Sequence, residues 1–322
     1  MDIRVVTNQI ANGWHPSDLD TFLGANEETL VLWSRAMVKA GHAVTVHTSL
    51  RGTECTDAQG VWWRKLERFN PASYCDVLIS FKTRAAWLFP TNAGLRIHWS
   101  NDVETPWSNG LMRQVDKFIV LSVYHAERMP WVPYDKMEII PLSIDPAVYK
   151  PGGEKERGLA IYATSPDRGL ETLLTDWPRI QTLHPGLRLV VTYDWSRTSQ
   201  QFRDHMKPLL AQDGVSRATP STSEMLGLFQ RAEYYFHLLN NPDSDLFGFG
   251  PTKAILCGAK AILPSVHGNG FRGTVPEYIP YADFLRGSVK TVKNQEWRTV
   301  VQGWDEIVSE RWNDLVSQRK AA

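Results

Sequence analysis

The chain has 322 residues, 43% of them hydrophobic and 22% charged, enough apolar material for two packed domains of about 150 residues each and too much for a disordered chain. Thirty-five Lys and Arg balance 35 Asp and Glu, so no global field draws nucleic acid or an anionic membrane. Cys55, Cys75 and Cys257 lack CxxC spacing and read as reduced thiols rather than a zinc or disulfide framework, while the absence of a leader-like start or an apolar run of about 18 residues makes a cytoplasmic location the expectation.

In chain order, strands and helices alternate. IRVVT, residues 3 to 7, is a β-branched run suited to a strand buried on both faces of a parallel sheet. After a Gly-containing loop, Glu27 to Lys39 places Leu30, Trp33, Met37 and Val38 on one helical face, with Gly41 where a helix ends. AVTVHT, residues 43 to 48, completes a right-handed crossover unit. CDVLISF from Cys75, LRIHW from Leu95 and KFIVLS from Lys117 continue the spacing, so residues 1–151 read as one Rossmann-like domain. Pro141 to Gly158 concentrates Pro, Gly and charge and predicts a linker, with the boundary near residue 152.

The pattern then restarts. GLAIYAT from Gly158, LRLVVTY from Leu187, AEYYFHLL from Ala232 and AKAILPS from Ala259 predict a second α/β domain over 152–322. Trp297, Val300, Val301, Trp304, Ile307, Val308, Trp312 and Val316 recur at helical intervals and predict an amphipathic C-terminal helix or helix pair within that domain. Thirteen tryptophans are many for this length; composition does not sort core packing from platforms on which a sugar or base would stack.

Three loops carry candidate chemistry. Gly24, Ala25, Asn26 and Glu27 open the first long helix, where unpaired N–H groups and the positive dipole end favour an anion such as a diphosphate; the same turn suits an ordinary strand-to-helix connection. In YATSPDRGLETLLTDWPRI, from Tyr162, the chain enters a helix near Gly169, which puts the Arg168 guanidinium beside a helix N-terminus, able to complement a leaving nucleotide diphosphate. In DSDLFGFGPTKAILCGAKAILP, from Asp243, a Gly-rich loop with Phe247 and Gly248 runs into a helix, and Asp245 and Lys253 stand eight residues apart. That arrangement can aim an acid and a base at one crevice, or leave both on a solvated surface.

The order of these segments resembles the retaining GT-B glycosyltransferases of family four (group 1). GANEETLVLWSRAMVKAGHAVTVHT is similar to that family's GGxE loop, helix and GHxV strand, IIPLSID from Ile139 to its PNGID element, SPDRGLETLL to its donor-phosphate loop, and DLFGFGPTKAILCGAKAI to its E-x7-E segment. The resemblance runs along nearly the whole chain. It implies two Rossmann-like domains facing a central cleft, the first binding an acceptor and the second a nucleotide sugar. It also implies donor contacts from Gly24, Ala25, Arg168, Gly169, Phe247, Gly248 and Lys253, with Arg168 on the phosphates and Asp245 near the transferred sugar.

Three departures from that pattern stand out. Lys253 occupies the place of the second acid, usually a ribose ligand, and could instead reach a donor phosphate or pair with Asp245. HWSNDVETPW, from His98, is similar to an acceptor-side WxHD element in which Asn101 replaces the His and Asp102 is kept; His98 reads as strand packing. The Gly-Arg pair that usually precedes the phosphate loop is absent. Asp243-Ser244-Asp245 also fits the DxD metal motif of single-domain GT-A enzymes, but two Rossmann-like halves favour a metal-independent site.

The resemblance therefore implies a hexosyltransferase using a UDP- or GDP-sugar with retention, catalysed through Asp245, Arg168 and Asp102, with no cofactor beyond the donor and no metal. The acceptor stays open between a surface glycan or small molecule and a hydroxymethylated base in DNA, to which the balanced charge gives no support. Lys253 and Asn101 keep a non-catalytic nucleotide-binding module as the alternative. An NAD-dependent oxidoreductase is disfavoured, since no GxGxxG follows the first strand.

Overall fold

A computed structural model describes residues 1–8, 13–21, 23–193, 195–241, 243, 245–264, 270–295 and 301–319. Trp297, Val300 and Ser244, named above, lie outside the described residues. The chain forms two compact units, one comprising Met1–Ser143 with Gln302–Ala322 and the other Ile144–Val301.

In unit 1, β1 (Asp2–Val6), β2 (Ala43–Thr48), β3 (Cys55–Thr56), β4 (Trp62–Lys65), β5 (Cys75–Phe81), β6 (Ala93–Trp99), β7 (Lys117–Val120) and β8 (Met137–Ile139) make one sheet in the order β3-β4-β2-β1-β5-β6-β7-β8. Every pairing is parallel except β3 with β4. Runs such as VLIS in β5 are buried throughout, because a parallel sheet is covered on both faces. Helix α1 (Ala25–Lys39) connects β1 to β2 and buries Leu30, Trp33 and Met37, the face expected from its periodicity. Short helices α2 (Asn109–Met112) and α3 (Val123–Glu127) are capped by Ser108 and Ser122, whose hydroxyls accept from Leu111 and His125 N–H groups.

Unit 2 repeats the plan. Strands β9 (Glu156–Tyr162), β10 (Arg188–Thr192), β11 (Val215–Ala218), β12 (Ala232–Phe236), β13 (Lys260–Leu263), β14 (Glu277–Pro280) and β15 (Val292–Lys293) are ordered β11-β10-β9-β12-β13-β14-β15, with β15 alone antiparallel to its neighbour. The connecting helices are α4 (Leu170–Leu183), α5 (Gln200–Leu210), α6 (Thr222–Arg231), α7 (Phe249–Leu256) and the short α8 (Tyr281–Phe284). Helix α4 tolerates Pro178 in its interior. The missing N–H would orphan the Leu174 carbonyl, and the Gln212 side chain donates to that oxygen at 2.8 Å.

The domain limits expected from sequence need two corrections. Residues 144–151 belong to unit 2 rather than to a linker preceding it: Tyr149 packs on Phe229 at 6.3 Å between ring centroids, and Gln230 donates to the Lys150 carbonyl. Lys155 is likewise tied down, donating to the carbonyls of Phe229, Gln230 and Cys257 at 3.2, 2.8 and 2.6 Å. The C-terminal helical stretch, α9 (Trp304–Ile307) running through a wider turn into α10 (Asn313–Ser317), packs in unit 1, not unit 2. Its apolar stripe meets tryptophans: Trp312 lies 4.8 Å from Trp33 and 4.9 Å from Trp99, and Trp304 lies 6.1 Å from Trp99. Several of the many tryptophans are thus core, and four form one cluster that docks the C-terminus.

Candidate functional site

The loops at the C-terminal ends of β9 and β12 meet in unit 2. Gly169 caps α4 with φ 99°, and a Cβ there would stand 2.8 Å from Leu238 Cβ and 3.0 Å from its carbonyl carbon. Only glycine allows both the left-handed turn and this approach of the β9 loop to the segment after β12. The Asn240 amide also joins the two loops, donating to the Asp167 carbonyl at 3.0 Å. Gly248 repeats the device at the start of α7, with φ 79° and a Cβ position 2.9 Å from Phe271 and Thr274. Neither N-cap glycine has a side chain to cap its helix; the Leu170 N–H of α4 turns back to the Pro166 carbonyl at 3.2 Å, and first-turn N–H groups beyond it are available to an anion.

Arg168 precedes Gly169. Among the described residues, no side-chain hydrogen bond or ion pair holds its half-buried guanidinium. Asp245 is 8% exposed, and its Oδ1 accepts from the N–H groups of Phe247 at 3.1 Å and Gly248 at 2.7 Å. One carboxylate oxygen therefore shapes the loop while Oδ2 faces inward, 3.4 Å from His237 Nε2. That contact lacks hydrogen-bond alignment: among the described residues Nε2 has no hydrogen-bond partner. Burial pushes the His237 pKa down to about 4, against the pull of the Asp245 charge and with the help of Arg168. Buried Tyr235 has its pKa raised by burial and by Asp245 and lowered by Arg168. The guanidinium and the carboxylate thus act on the same two side chains at the end of β12.

Phe247 and Lys253 take other places. Phe247 is fully buried beneath the loop. Lys253 is buried too, its Nζ 3.8 Å from the Phe249 ring centroid and 4.6 Å from that of Tyr149, a cation held on aromatic faces. Ser244, the centre of the DxD-like triplet, is outside the described residues, and among those described no three His, Cys, Asp or Glu side chains gather as metal ligands.

Gly24, Ala25 and Asp102 belong to unit 1. Gly24 caps α1 and Ala25 begins it, but the Glu27 carboxylate lies where a Cβ on Gly24 would stand, 2.3 Å from that position. An anion approaching this N-terminus meets a negative charge already on the dipole end. Asn101 donates to Asn26 Oδ1 at 2.9 Å, tying the Asp102 loop to the first turn of α1. Asp102, 61% exposed, pairs through Oδ2 with Lys82 Nζ at 2.9 Å. Its backbone carbonyl is fixed by His125 Nε2 at 3.0 Å and the Ser100 hydroxyl at 2.8 Å; because His125 Nδ1 accepts from the Leu121 N–H, Nε2 carries the proton and the ring is neutral, its pKa lowered by burial to about 4.

His98 is packing and anchor at once: buried against Trp107 and Phe118, it holds Glu104 through Nε2 at 2.6 Å. Trp107 and Arg84 also hold Glu104, whose pKa is drawn down to about 2; burial opposes that shift and the His98 bond leads the groups producing it.

Sequence reasoning missed His237 and Lys82. Only His237 left a trace, as the polar residue interrupting the apolar run from Ala232.

No family model and no curated protein matches the chain. Solved structures do. Sucrose-phosphate synthase from Thermosynechococcus elongatus is 14% identical with a TM-score of 0.66, covering 98% of this chain and 96% of that one. AviGT4, a glycosyltransferase involved in avilamycin A biosynthesis, is 16% identical with a TM-score of 0.63, covering 98% and 97%. Anabaena Alr3699/HepE in complex with UDP-glucose is 12% identical with a TM-score of 0.60, covering 99% and 98%. Identities this low speak to architecture: the chain has the two-domain, Rossmann-like fold of GT-B glycosyltransferases.

Proposed function

We propose that this protein is a nucleotide-sugar-dependent glycosyltransferase, moving a hexose or related sugar from a UDP- or GDP-sugar bound to unit 2 onto an acceptor hydroxyl bound to unit 1. The observation that carries the reading is the meeting of the two loops: Arg168, its guanidinium held by no side chain among the described residues, stands at the start of α4 where Gly169 approaches Leu238 and Asn240 reaches the Asp167 carbonyl, and the Asp245 carboxylate lies 3.4 Å from His237 of that same segment after β12. A diphosphate leaving group gathers negative charge as the glycosidic bond breaks, and a fixed cation with first-turn N–H groups stabilises that charge more than the ground state. The Asp245 carboxylate then offsets through space the positive charge developing at the anomeric carbon. In this scheme charge neutralisation needs no metal, and the leaving phosphate accepts the acceptor proton on the same face, giving retention. A shared architecture with HepE, solved with UDP-glucose, supports a UDP-sugar as first donor to try.

The second reading, a nucleotide-binding module without transfer, draws on Lys253, which is held against aromatic rings where the family pattern has an acid. A thermal-shift panel of UDP, GDP, ADP and their sugars, with and without EDTA, tests the first reading on wild type and Arg168→Ala. Stabilisation by one nucleotide that survives EDTA and is lost in the variant is expected. No stabilisation by any nucleotide would overturn both readings; stabilisation with neither transfer nor hydrolysis of any donor would favour the second.

A further inference from the structure

His237 lies between a hydroxyl and a carboxylate. Its ring is 2% exposed, meets Phe271 edge-on at 5.1 Å between centroids, and is neutral at pH 7, because burial holds its pKa down at about 4. A neutral imidazole carries one proton, on one nitrogen or the other. Nδ1 stands 3.5 Å from the Tyr235 hydroxyl, which is itself 3.3 Å from the Ala163 carbonyl at the root of the Arg168 loop. Nε2 stands 3.4 Å from Asp245 Oδ2. Gly250 leaves room for the hydroxyl, since a Cβ there would stand 2.1 Å from it.

Two proton arrangements fit these distances. In one, Tyr235 donates to Ala163, Nδ1–H donates to the Tyr235 oxygen, and the bare lone pair of Nε2 confronts the carboxylate. In the other, Tyr235 donates to Nδ1 and the Nε2 proton lies toward Oδ2. The bonds to Tyr235 are neutral in both, whereas the contact to Asp245 involves a charge, and charge-assisted contacts are about twice as strong as neutral ones. The second arrangement is therefore favoured. It also supplies what the carboxylate lacks: Phe247 and Gly248 fix Oδ1, but among the described residues no hydrogen bond holds Oδ2. Hydrogen bonds at reaction sites are often long before substrate binds and tighten with it; a closure of about 0.5 Å would bring Nε2 and Oδ2 to bonding length.

We propose that His237 is a positioning residue for Asp245: its Nε2–H, selected by that carboxylate and supported by the Tyr235 hydroxyl on Nδ1, closes on Oδ2 when the donor diphosphate is bound and fixes the direction in which the carboxylate presents its charge. The part of Asp245 in sugar transfer rests on the proposed function; the tautomer does not.

The test has two readouts. A two-dimensional ¹H–¹⁵N spectrum of the histidine rings, with His237 assigned from His237→Gln, reports which nitrogen carries the proton. The Nε2–H form is expected, and whichever of UDP and GDP stabilises the chain should move that proton downfield. Turnover of the matching sugar nucleotide is then followed as nucleotide release. His237→Leu, which fills the site without an N–H, should lower kcat about ten- to hundred-fold and leave the donor KM within about two-fold. His237→Gln, whose amide can put an N–H near the place of Nε2, should recover to within about five-fold of wild type; a role in packing alone would show no such rescue. If the Leu variant loses its folded spectrum, Tyr235→Phe takes its place, with kcat lower by about three- to ten-fold at unchanged KM. An Nδ1–H ring in wild type, an Nε2–H that a bound nucleotide leaves unmoved, or a wild-type kcat in the variant tested would overturn the inference and leave the transferase standing. A chain that turns over no donor while His237 stays Nε2–H would overturn the transferase reading and reduce His237 to a brace of the loop.

Discussion

Asp245 separates what a residue does for the fold from what it does for chemistry, because its two oxygens have different partners. Oδ1 alone accepts from Phe247 and Gly248, and both bonds are buried. Asp245→Asn keeps an oxygen that can accept both, so unfolding free energy should change by less than about 1 kcal/mol. Asp245→Ala leaves two buried N–H groups without an acceptor at about 1–3 kcal/mol each, so a loss of about 2–4 kcal/mol is expected after partial relaxation. Urea unfolding followed by far-UV circular dichroism gives the totals. Hydrogen exchange over residues 245–256 locates the effect: the Phe247 and Gly248 amides should lose protection in the Ala variant and keep it in the Asn variant. Under the proposed function, the Asn variant, folded but without its charge, should lose about 10²- to 10³-fold in transfer rate. An Ala variant as stable as wild type would refute the capping role, and an Asn variant with full transfer activity would refute the catalytic one.

Trp312→Ala removes a fully buried ring from the cluster with Trp33 and Trp99 and should cost about 3–5 kcal/mol; a loss under about 1 kcal/mol would mean that the C-terminal helices are not part of the core of unit 1. Gly169→Ala places a Cβ against Leu238 at φ 99° and should destabilise by about 2 kcal/mol or more, read as a lower melting temperature; an unchanged one contradicts the close approach. His47, His125 and His237 each have a folded pKa near 4, below the ordinary 6.5, with burial as the largest cause. The unfolded chain then binds more protons between those values, so their stabilisation is complete above pH 6.5 and is lost as pH falls toward 4. Each contributes a slope of up to about 1.4 kcal/mol per pH unit. His237→Gln should flatten urea-derived stability between pH 6.5 and 4 by about one such slope, and an unaltered profile would refute the neutral buried ring.

Much of the fold was legible because parallel strands buried on both faces are written as short runs rich in β-branched and apolar residues: AVTVHT and CDVLISF coincide with β2 and β5. Edge strands were not. In β3, β11 and β15 the residues are half-buried or exposed, so no hydrophobic pattern is required of them. The C-terminal helix was predicted from its stripe, but a stripe states that a face is buried and not against what. Its partner, the Trp33 and Trp99 surface, lies more than 200 residues earlier in the chain, and proximity in sequence pointed to the wrong domain. Pro141 to Gly158 was misjudged for a related reason. Pro and Gly remove helix and strand, but they do not remove contacts, and Tyr149 and Lys155 are among the well-anchored residues of unit 2.

Lys253 shows the same limit at the candidate site. From sequence, a Lys eight residues after Asp245 suggested a charge aimed at phosphate or at that acid, because lysine side chains are rarely buried. Burial is nonetheless what the structure gives, with the ammonium over Phe249 and Tyr149, and the second of those rings comes from the segment read as a linker. Aromatic faces replace part of the hydration that a buried cation loses, and the Tyr149 ring over the Lys253 ammonium is one of the contacts that tie residues 144–151 to unit 2. Of the two cations considered for the leaving diphosphate, that leaves Arg168 as the one whose charge is not already committed to neighbouring rings. It is therefore the side chain on which the proposed donor chemistry stands or falls.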